Sequence, residues 1–365
     1  MELPTTTKDI TVEWLNEVLH ENGFLGIPNI VSLNREPIGE GKGFLSDMAR
    51  FTVTYSGDSS NLPATMIAKL PTEYPSHRHV AMLYNVYEKE IRFYTEIAPQ
   101  SPIRVPQVYY AAMRPEEEKF VLLMEDCACY EEADPDLEGL DYEQVKISVE
   151  TIAAFHARWW DDTDLMSLDW MAEIHDPAYN DVGVYRGYWE TCSKADNFKD
   201  YFPEGGWELG LKIYEKRPWL EATAPKNNLT FLHVDFKADN MFFDWGKPAN
   251  PLIVFDWSLT FIGRGPYDLA TMMGLSMSIE SRRKYERELV SFYHENLLQN
   301  GVKRYTYNEC WNDYLRGLIQ LSRYPLGLFS RIDGNSSERE IRLTRQSMNQ
   351  WFTALLDNDA VSMME

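Results

Sequence analysis

LHVDFKADNMFFDW, residues 232–245, decides how this chain reads. Asp235 follows His233 by two positions and Asn240 follows Asp235 by five, the interval of a phosphoryl-transfer catalytic loop with the pattern H-R-D-x-x-x-x-N. An apolar run over 251–255 then delivers Asp256 at its end. These residue types suit one chemistry: a carboxylate accepts the proton of an acceptor hydroxyl, while an amide oxygen and a second carboxylate hold the magnesium that bridges the phosphates. Asp235 fits the first task, Asn240 and Asp256 the second. Lys237 is either placed to neutralise charge on the transferred γ-phosphate or an exposed loop lysine.

The residues upstream supply the rest of a nucleotide site in order. IGEGKGF, residues 38–44, offers Gly39, Gly41 and Gly43 at alternate positions, where backbone N–H groups can approach phosphate oxygens without a Cβ in the way. It departs from G-x-G-x-x-G because the third glycine comes one residue early, and Lys42 within it either touches a phosphate or is solvated. Lys69, in TMIAKL, matches the strand lysine that pins the α/β-phosphates. Such a lysine needs an anionic partner, and of Glu88 and Glu90 the second falls in helical step with Leu83, Val86 and Tyr94. After the strand KFVLLME the chain offers the carbonyl of Glu125 and the N–H of Cys127 to an adenine.

The 365 residues suggest two lobes, 1–125 binding nucleotide and 126–365 carrying catalysis and the acceptor. A net charge of −22 argues against a nucleic-acid partner, whose affinity rests on clustered Lys and Arg. The N-terminus lacks a basic region followed by an apolar core, and no stretch approaches a membrane span, so a cytoplasmic protein is expected. No obligate protein partner is evident. Four cysteines without paired CxxC spacing read as reduced thiols rather than a zinc site or disulfide framework.

Periodicity predicts a helix over 11–22, strands from 50 and over 64–70, a helix over 78–97, and strands over 107–113 and 119–125. The acidic, turn-rich stretch 126–140 marks the lobe boundary. Beyond it the chain is mostly helical, with a long helix through 145–159, short strands near 229–234, 240–244 and 252–256, and helices over 279–299, 307–322 and 338–356. The fold class is α+β. His233 is expected to support its loop, His156 to be a satisfied core histidine, and Asp268 to cap or brace the helix that follows it. Arg264 binds phosphate or acceptor, or pairs with a carboxylate.

GEGKGFLSDMARF, EIRFY, AAFHARWW and HVDFKADNMFFD followed by IVFDWSLTFIGRGPYDLA together resemble the aminoglycoside phosphotransferase superfamily, and more closely its ecdysteroid-kinase-like branch. The resemblance spans about residues 35–275. It implies a bilobed protein-kinase-like fold with an antiparallel sheet in the small lobe. It also implies transfer of the γ-phosphate of ATP, with Mg2+, to a small-molecule hydroxyl, with Asp235 as base and Asn240 and Asp256 on magnesium. Many members read HGD where this chain has Val234. The acceptor stays open between steroid, macrolide, aminoglycoside and amino alcohol. Among 11 Trp and 21 Tyr, Trp159, Trp160, Trp170, Trp189 and Trp207 either line an aromatic acceptor pocket or pack a core. The alternative function is a catalytically silent pseudokinase that binds a ligand or partner.

Overall fold

Thr11 opens the first helix, α1 (Val12–Glu21), because its side chain accepts from the Trp14 N–H at 3.2 Å. Trp14, Leu15, Val18 and Leu19 recur on one face and are buried together. They lie on a five-stranded antiparallel sheet of β1 (Ile30–Ile38), β2 (Ser46–Tyr55), β3 (Thr65–Pro71), β4 (Val108–Arg114) and β5 (Lys119–Glu125), in the order β1-β2-β3-β5-β4. Ala49, Phe51, Val53, Met66, Ala68, Leu70, Val121 and Leu123 supply the sheet's side of that core. Because side chains alternate along a strand, the same pattern turns Lys69 to the opposite face.

In the computed structural model, which describes residues 2–23, 28–38, 45–133, 139–176, 182–334 and 336–365, the chain divides into two compact units. The first comprises 1–131 and 244–259, the second 132–243 and 260–365. The helix expected across 78–97 is interrupted in the first unit. There α2 (Pro75–Leu83) stops, Asn85 takes φ 52°, and α3 (Val86–Arg92) restarts the helix before a π-turn, Phe93–Ile97. Asparagine visits the left-handed region more readily than most residues, and the break turns Leu83 out to solvent while Val86, Glu90 and Tyr94 stay buried. Strand β1 has no counterpart among the expected elements; most of its side chains are exposed and it carries Pro37, so it lacks the alternation that marks its neighbours.

The second unit is built of helices. Asp141 and Gln144 form a capping box on α4 (Tyr142–Arg158). There follow α5 (Val182–Cys192), α6 (Gly206–Lys216), α7 (Pro218–Ala222), α8 (Pro266–Ser276), α9 (Ile279–Gln299), α10 (Tyr307–Gln320), α11 (Arg323–Phe329) and α12 (Glu338–Asp357). Two short antiparallel strands, β6 (Thr230–Leu232) and β7 (Phe261–Gly263), lie among them. Among the described residues no helix is long and apolar enough to cross a membrane.

Buried arginines close helix ends here. Arg217 donates to the carbonyls of Ile319 and Gln320, both at 2.8 Å, at the end of α10, and Arg316 donates to Leu220 O at 2.6 Å near the end of α7. His175, whose Nε2 lies 3.1 Å from the Tyr267 hydroxyl, is buried near them. Burial first, and then the charges of Arg316, Arg264, Arg217 and Arg323, push its pKa down to about 3.

An imidazole in the unfolded chain takes up a proton near pH ~6.5. Between that value and the depressed folded one, the unfolded state binds the extra proton, so His175 contributes stability fully above pH ~6.5 and loses it as pH falls. The slope is at most about 1.4 kcal/mol per pH unit. Urea unfolding of His175→Gln against the parent between pH 7 and 5 should show the variant's stability falling less steeply; equal slopes would discard this account.

Candidate active site

After β6 the backbone turns sharply. Val234 takes φ 68°, a region costly for a β-branched side chain. The turn is held by Asp268, the third residue of α8. Its Oδ1 accepts from Val234 N–H at 2.7 Å and its Oδ2 from His233 N–H at 2.8 Å. Thr271 Oγ1 donates to Val234 O at 2.9 Å, and Ala238 N–H donates to Ser276 Oγ at 2.8 Å, so one face of α8 lies along the whole loop. Asp268 therefore braces the loop before it in sequence, not the helix that follows as expected. A carboxylate with no exposure needs several donors, and two adjacent loop N–H groups meet that need better than its own helix.

His156 completes the clamp as a satisfied core histidine. Its Nε2 lies 3.1 Å from Asp268 Oδ2 and its Nδ1 2.7 Å from the Tyr293 hydroxyl, while its carbonyl accepts from Thr230 Oγ1 at 2.8 Å. A Cβ at Gly265 would collide with that imidazole and that hydroxyl, which accounts for the glycine in RGPYDLA. His233 is fully buried beneath the loop.

On this support Asn240 Nδ2 donates to Asp235 O at 2.8 Å and to Asp235 Oδ2 at 2.9 Å. The amide is thus oriented with its oxygen as the group a cation would use. Lys237 Nζ lies 3.7 Å from Asp235 Oδ1 and 2.9 Å from Asp239 Oδ2. Burial opposes its charge, but Asp235, Tyr324 and Asp239 outweigh it and hold the ammonium on, well above the usual lysine range.

In the first unit Lys69 Nζ lies 2.8 Å from Glu90 Oε1 and 3.1 Å from Asp256 Oδ1. Burial works against the ammonium, and Asp256 and Glu90 more than restore it. At Glu90 burial is the largest effect and raises the carboxyl, with Lys69 pulling it back. Glu88, by contrast, is half-exposed and meets Arg92 at 3.4 Å. Asp256 sits at φ 59°, and its Oδ1 also accepts from Ser258 Oγ at 2.7 Å. Its neighbour Trp257 stacks on Phe93 with centroids 3.9 Å apart and planes at 7°, tying the 252–259 segment to the π-turn that follows α3.

Glu125 ends β5, and its N–H donates to Gln107 O at 2.8 Å. Cys127 begins a 3-10 turn capped by Asp126, whose carboxylate accepts from Ala128 N–H at 3.2 Å and from Arg50 Nε at 2.6 Å. Gly39, Gly41, Lys42 and Gly43 lie outside the described residues.

Of the three uses open to Arg264, the described contacts are those of a paired side chain. It meets Asp313 Oδ2 at 3.2 Å and Asn227 Oδ1 at 3.2 Å. Trp159, Trp170 and Trp189 are buried, and Trp189 packs among Tyr185, Phe198, Phe202 and Trp207, with ring centroids 5.1–6.2 Å away. Trp159, Trp170 and Trp189 are core, while Trp160 and Trp207 are partly exposed. Asp268's grip, Tyr293 and Tyr324 escaped the sequence reading, since each reaches the loop from a distant part of the chain and no local motif announces it.

The profile of the ecdysteroid kinase-like family matches residues 40–158 and 185–307. Similar solved structures include a protein from Ralstonia eutropha JMP134, provisionally described as an aminoglycoside phosphotransferase. It is 14% identical over 97% of this chain and 98% of that one, with a TM-score of 0.59. The GDP complex of wild-type aminoglycoside 2'-phosphotransferase-IIIa is 12% identical over 93% of this chain and 99% of that one, TM-score 0.54. A GDP and kanamycin complex of APH(2'')-IIIa is 13% identical over 92% and 98%, TM-score 0.52. At these identities the likeness is one of fold, kinase-like and α+β. No curated protein matches the sequence significantly.

Asp268→Asn should destabilise the protein by roughly 2–4 kcal/mol and Asp268→Ala by roughly 3–5, because each leaves buried N–H groups unmatched. Urea unfolding checks this, and an Asn variant as stable as the parent would remove the clamp from the argument. At Val234 the usual order of small residues should invert: Val234→Gly at least as stable as Val234→Ala, by up to about 1 kcal/mol, since only glycine is at ease at this φ. The same unfolding measurement ranks the pair.

Proposed function

The chain belongs to the ecdysteroid kinase-like family, a small-molecule kinase by that membership, and we propose that it moves the γ-phosphate of ATP, with Mg2+, onto a hydroxyl of a steroid-, macrolide-, aminoglycoside- or amino-alcohol-like acceptor. The observation that carries this reading is the fixing of Asp235 by Asn240 and Lys237 on a loop whose backbone is clamped from behind. In the reaction the acceptor O–H gives its proton to the Asp235 carboxylate, the acceptor oxygen bonds to the γ-phosphorus, and the bond from that phosphorus to the bridging oxygen of ADP breaks.

Lys237 offers its ammonium to the charge that develops on the transferred group. Lys69, set by Glu90, takes the α/β-phosphates, with Gly39, Gly41, Lys42 and Gly43 covering them and the backbone of Glu125 and Cys127 meeting the base. Asn240 through its amide oxygen and Asp256 through its carboxylate would hold the magnesium. Two protein ligands with phosphate oxygens and water are a usual set for this ion. When bound, the ion would supply positive charge against the phosphate oxygens. In this reading residues 1–125 serve the nucleotide and 126–365 serve catalysis and the acceptor, with Asp256 returned to the nucleotide side by its strand.

Thermal unfolding with and without Mg·ATP, and with GTP for comparison, tests the nucleotide site. Ligand at 100 times its dissociation constant should stabilise the fold by about 2.7 kcal/mol. The shift should need magnesium and vanish in Asp256→Ala. Asp235→Ala should keep the shift yet lose about 100-fold or more of the acceptor-dependent ADP release, the usual worth of a general base. No shift at millimolar nucleotide, or full transfer without Asp235, would sink the proposal.

A further inference from the structure

Lys237 has a choice of partners. Asp239 is the nearer, at 2.9 Å against 3.7 Å for Asp235, and its side chain is 43% exposed where that of Asp235 is 13%. Left to these two carboxylates, a flexible ammonium would favour the position at Asp239, where it keeps its water. A third group bounds it. The ring of Tyr324, second residue of α11, lies with its centroid 5.4 Å from Lys237 Nζ, within cation–π range.

Tyr324 is itself firmly placed. Its N–H donates to Leu321 O at 2.8 Å, and the end of α10 just before it is held by Arg217 through the carbonyls of Ile319 and Gln320. The ring therefore approaches Lys237 from a fixed backbone, whereas the lysine stem has four rotatable bonds.

We propose that Tyr324 is a positioning residue of the reaction: its ring and hydroxyl keep the Lys237 ammonium, which is hydrogen-bonded to Asp239, within reach of Asp235 as well. The inference rests on the roles given to Asp235 and Lys237 above. Tyr324 touches no reacting atom; it acts through the lysine. Attraction between a half-buried ammonium and a ring biases one position over another by roughly threefold to thirtyfold, enough to decide between two carboxylates.

The test is a double-mutant cycle on kcat for ADP release from Mg·ATP, with water as acceptor where no alcohol stimulates it. Tyr324→Leu, which keeps bulk without a ring, should lower kcat about tenfold with the KM for ATP within about twofold of the parent. Tyr324→Phe should restore part of that loss through the ring face, the remainder belonging to the hydroxyl, which also hydrogen-bonds the ammonium. In a Lys237→Met background Tyr324→Leu should cost nothing further. Losses that multiply across the cycle, or full kcat in Tyr324→Leu, would overturn the inference while leaving the kinase reading standing. If Tyr324→Leu does not fold, Tyr324→Met takes its place in the cycle. A parent protein with neither ADP release nor a Mg·ATP shift brings down the kinase reading and this inference with it.

Discussion

One buried carboxylate organises the second unit. Asp268 takes two neighbouring backbone N–H groups and an imidazole, and both N–H groups can face one carboxylate only if the chain bends back on itself at Val234. That bend sets the direction in which Asp235 leaves the turn. The strain of a β-branched residue at φ 68° costs of order 1–3 kcal/mol, and charge-assisted hydrogen bonds in a water-free setting are strong enough to hold it. Three helices are drawn together by the same need: α8 carries the carboxylate, α4 carries His156, and α9 carries Tyr293 to complete the imidazole's bonding. Gly265 is the space that convergence requires.

Local chemistry was legible in the sequence. The helix expected over 11–22 is α1, Val12–Glu21, within one residue at each end, and the run 279–299 is α9 as it stands in the structure. Helical step separated Glu90 from Glu88, and the structure sets Glu90 against Lys69 while Glu88 turns to Arg92. Asp235, Lys237 and Asn240 share a loop short enough for spacing alone to imply their grouping. What escaped was long-range or conformational. Nothing local distinguishes an aspartate that caps its own helix from one that reaches 35 residues back to a loop. Apolar spacing counts Leu83 with Val86, Glu90 and Tyr94, but the break at Asn85 leaves it exposed, which spacing alone cannot see. The domain division, the glycine loop and the adenine contacts rest on the sequence argument still.

For Trp159, Trp170 and Trp189, of the two uses open to the tryptophans, the structure shows packing. The rings around Trp189 contact one another edge to face and tilted, as rings do in packed interiors. Those residues stabilise the helical unit.

The course of the backbone has a consequence for how such a protein can be taken apart or recombined. The polypeptide passes between the two units three times, after Glu131, Phe243 and Leu259. A fragment ending at the first crossing would carry Lys69 and Glu90 but not Asp256, and would leave Phe93 without the indole it stacks on. The first unit is thus not a cassette that a single exchange of genetic material could transplant. Its lysine–carboxylate set is inherited whole only when the entire intervening loop and helical stretch travels with it, which binds the history of one unit to that of the other.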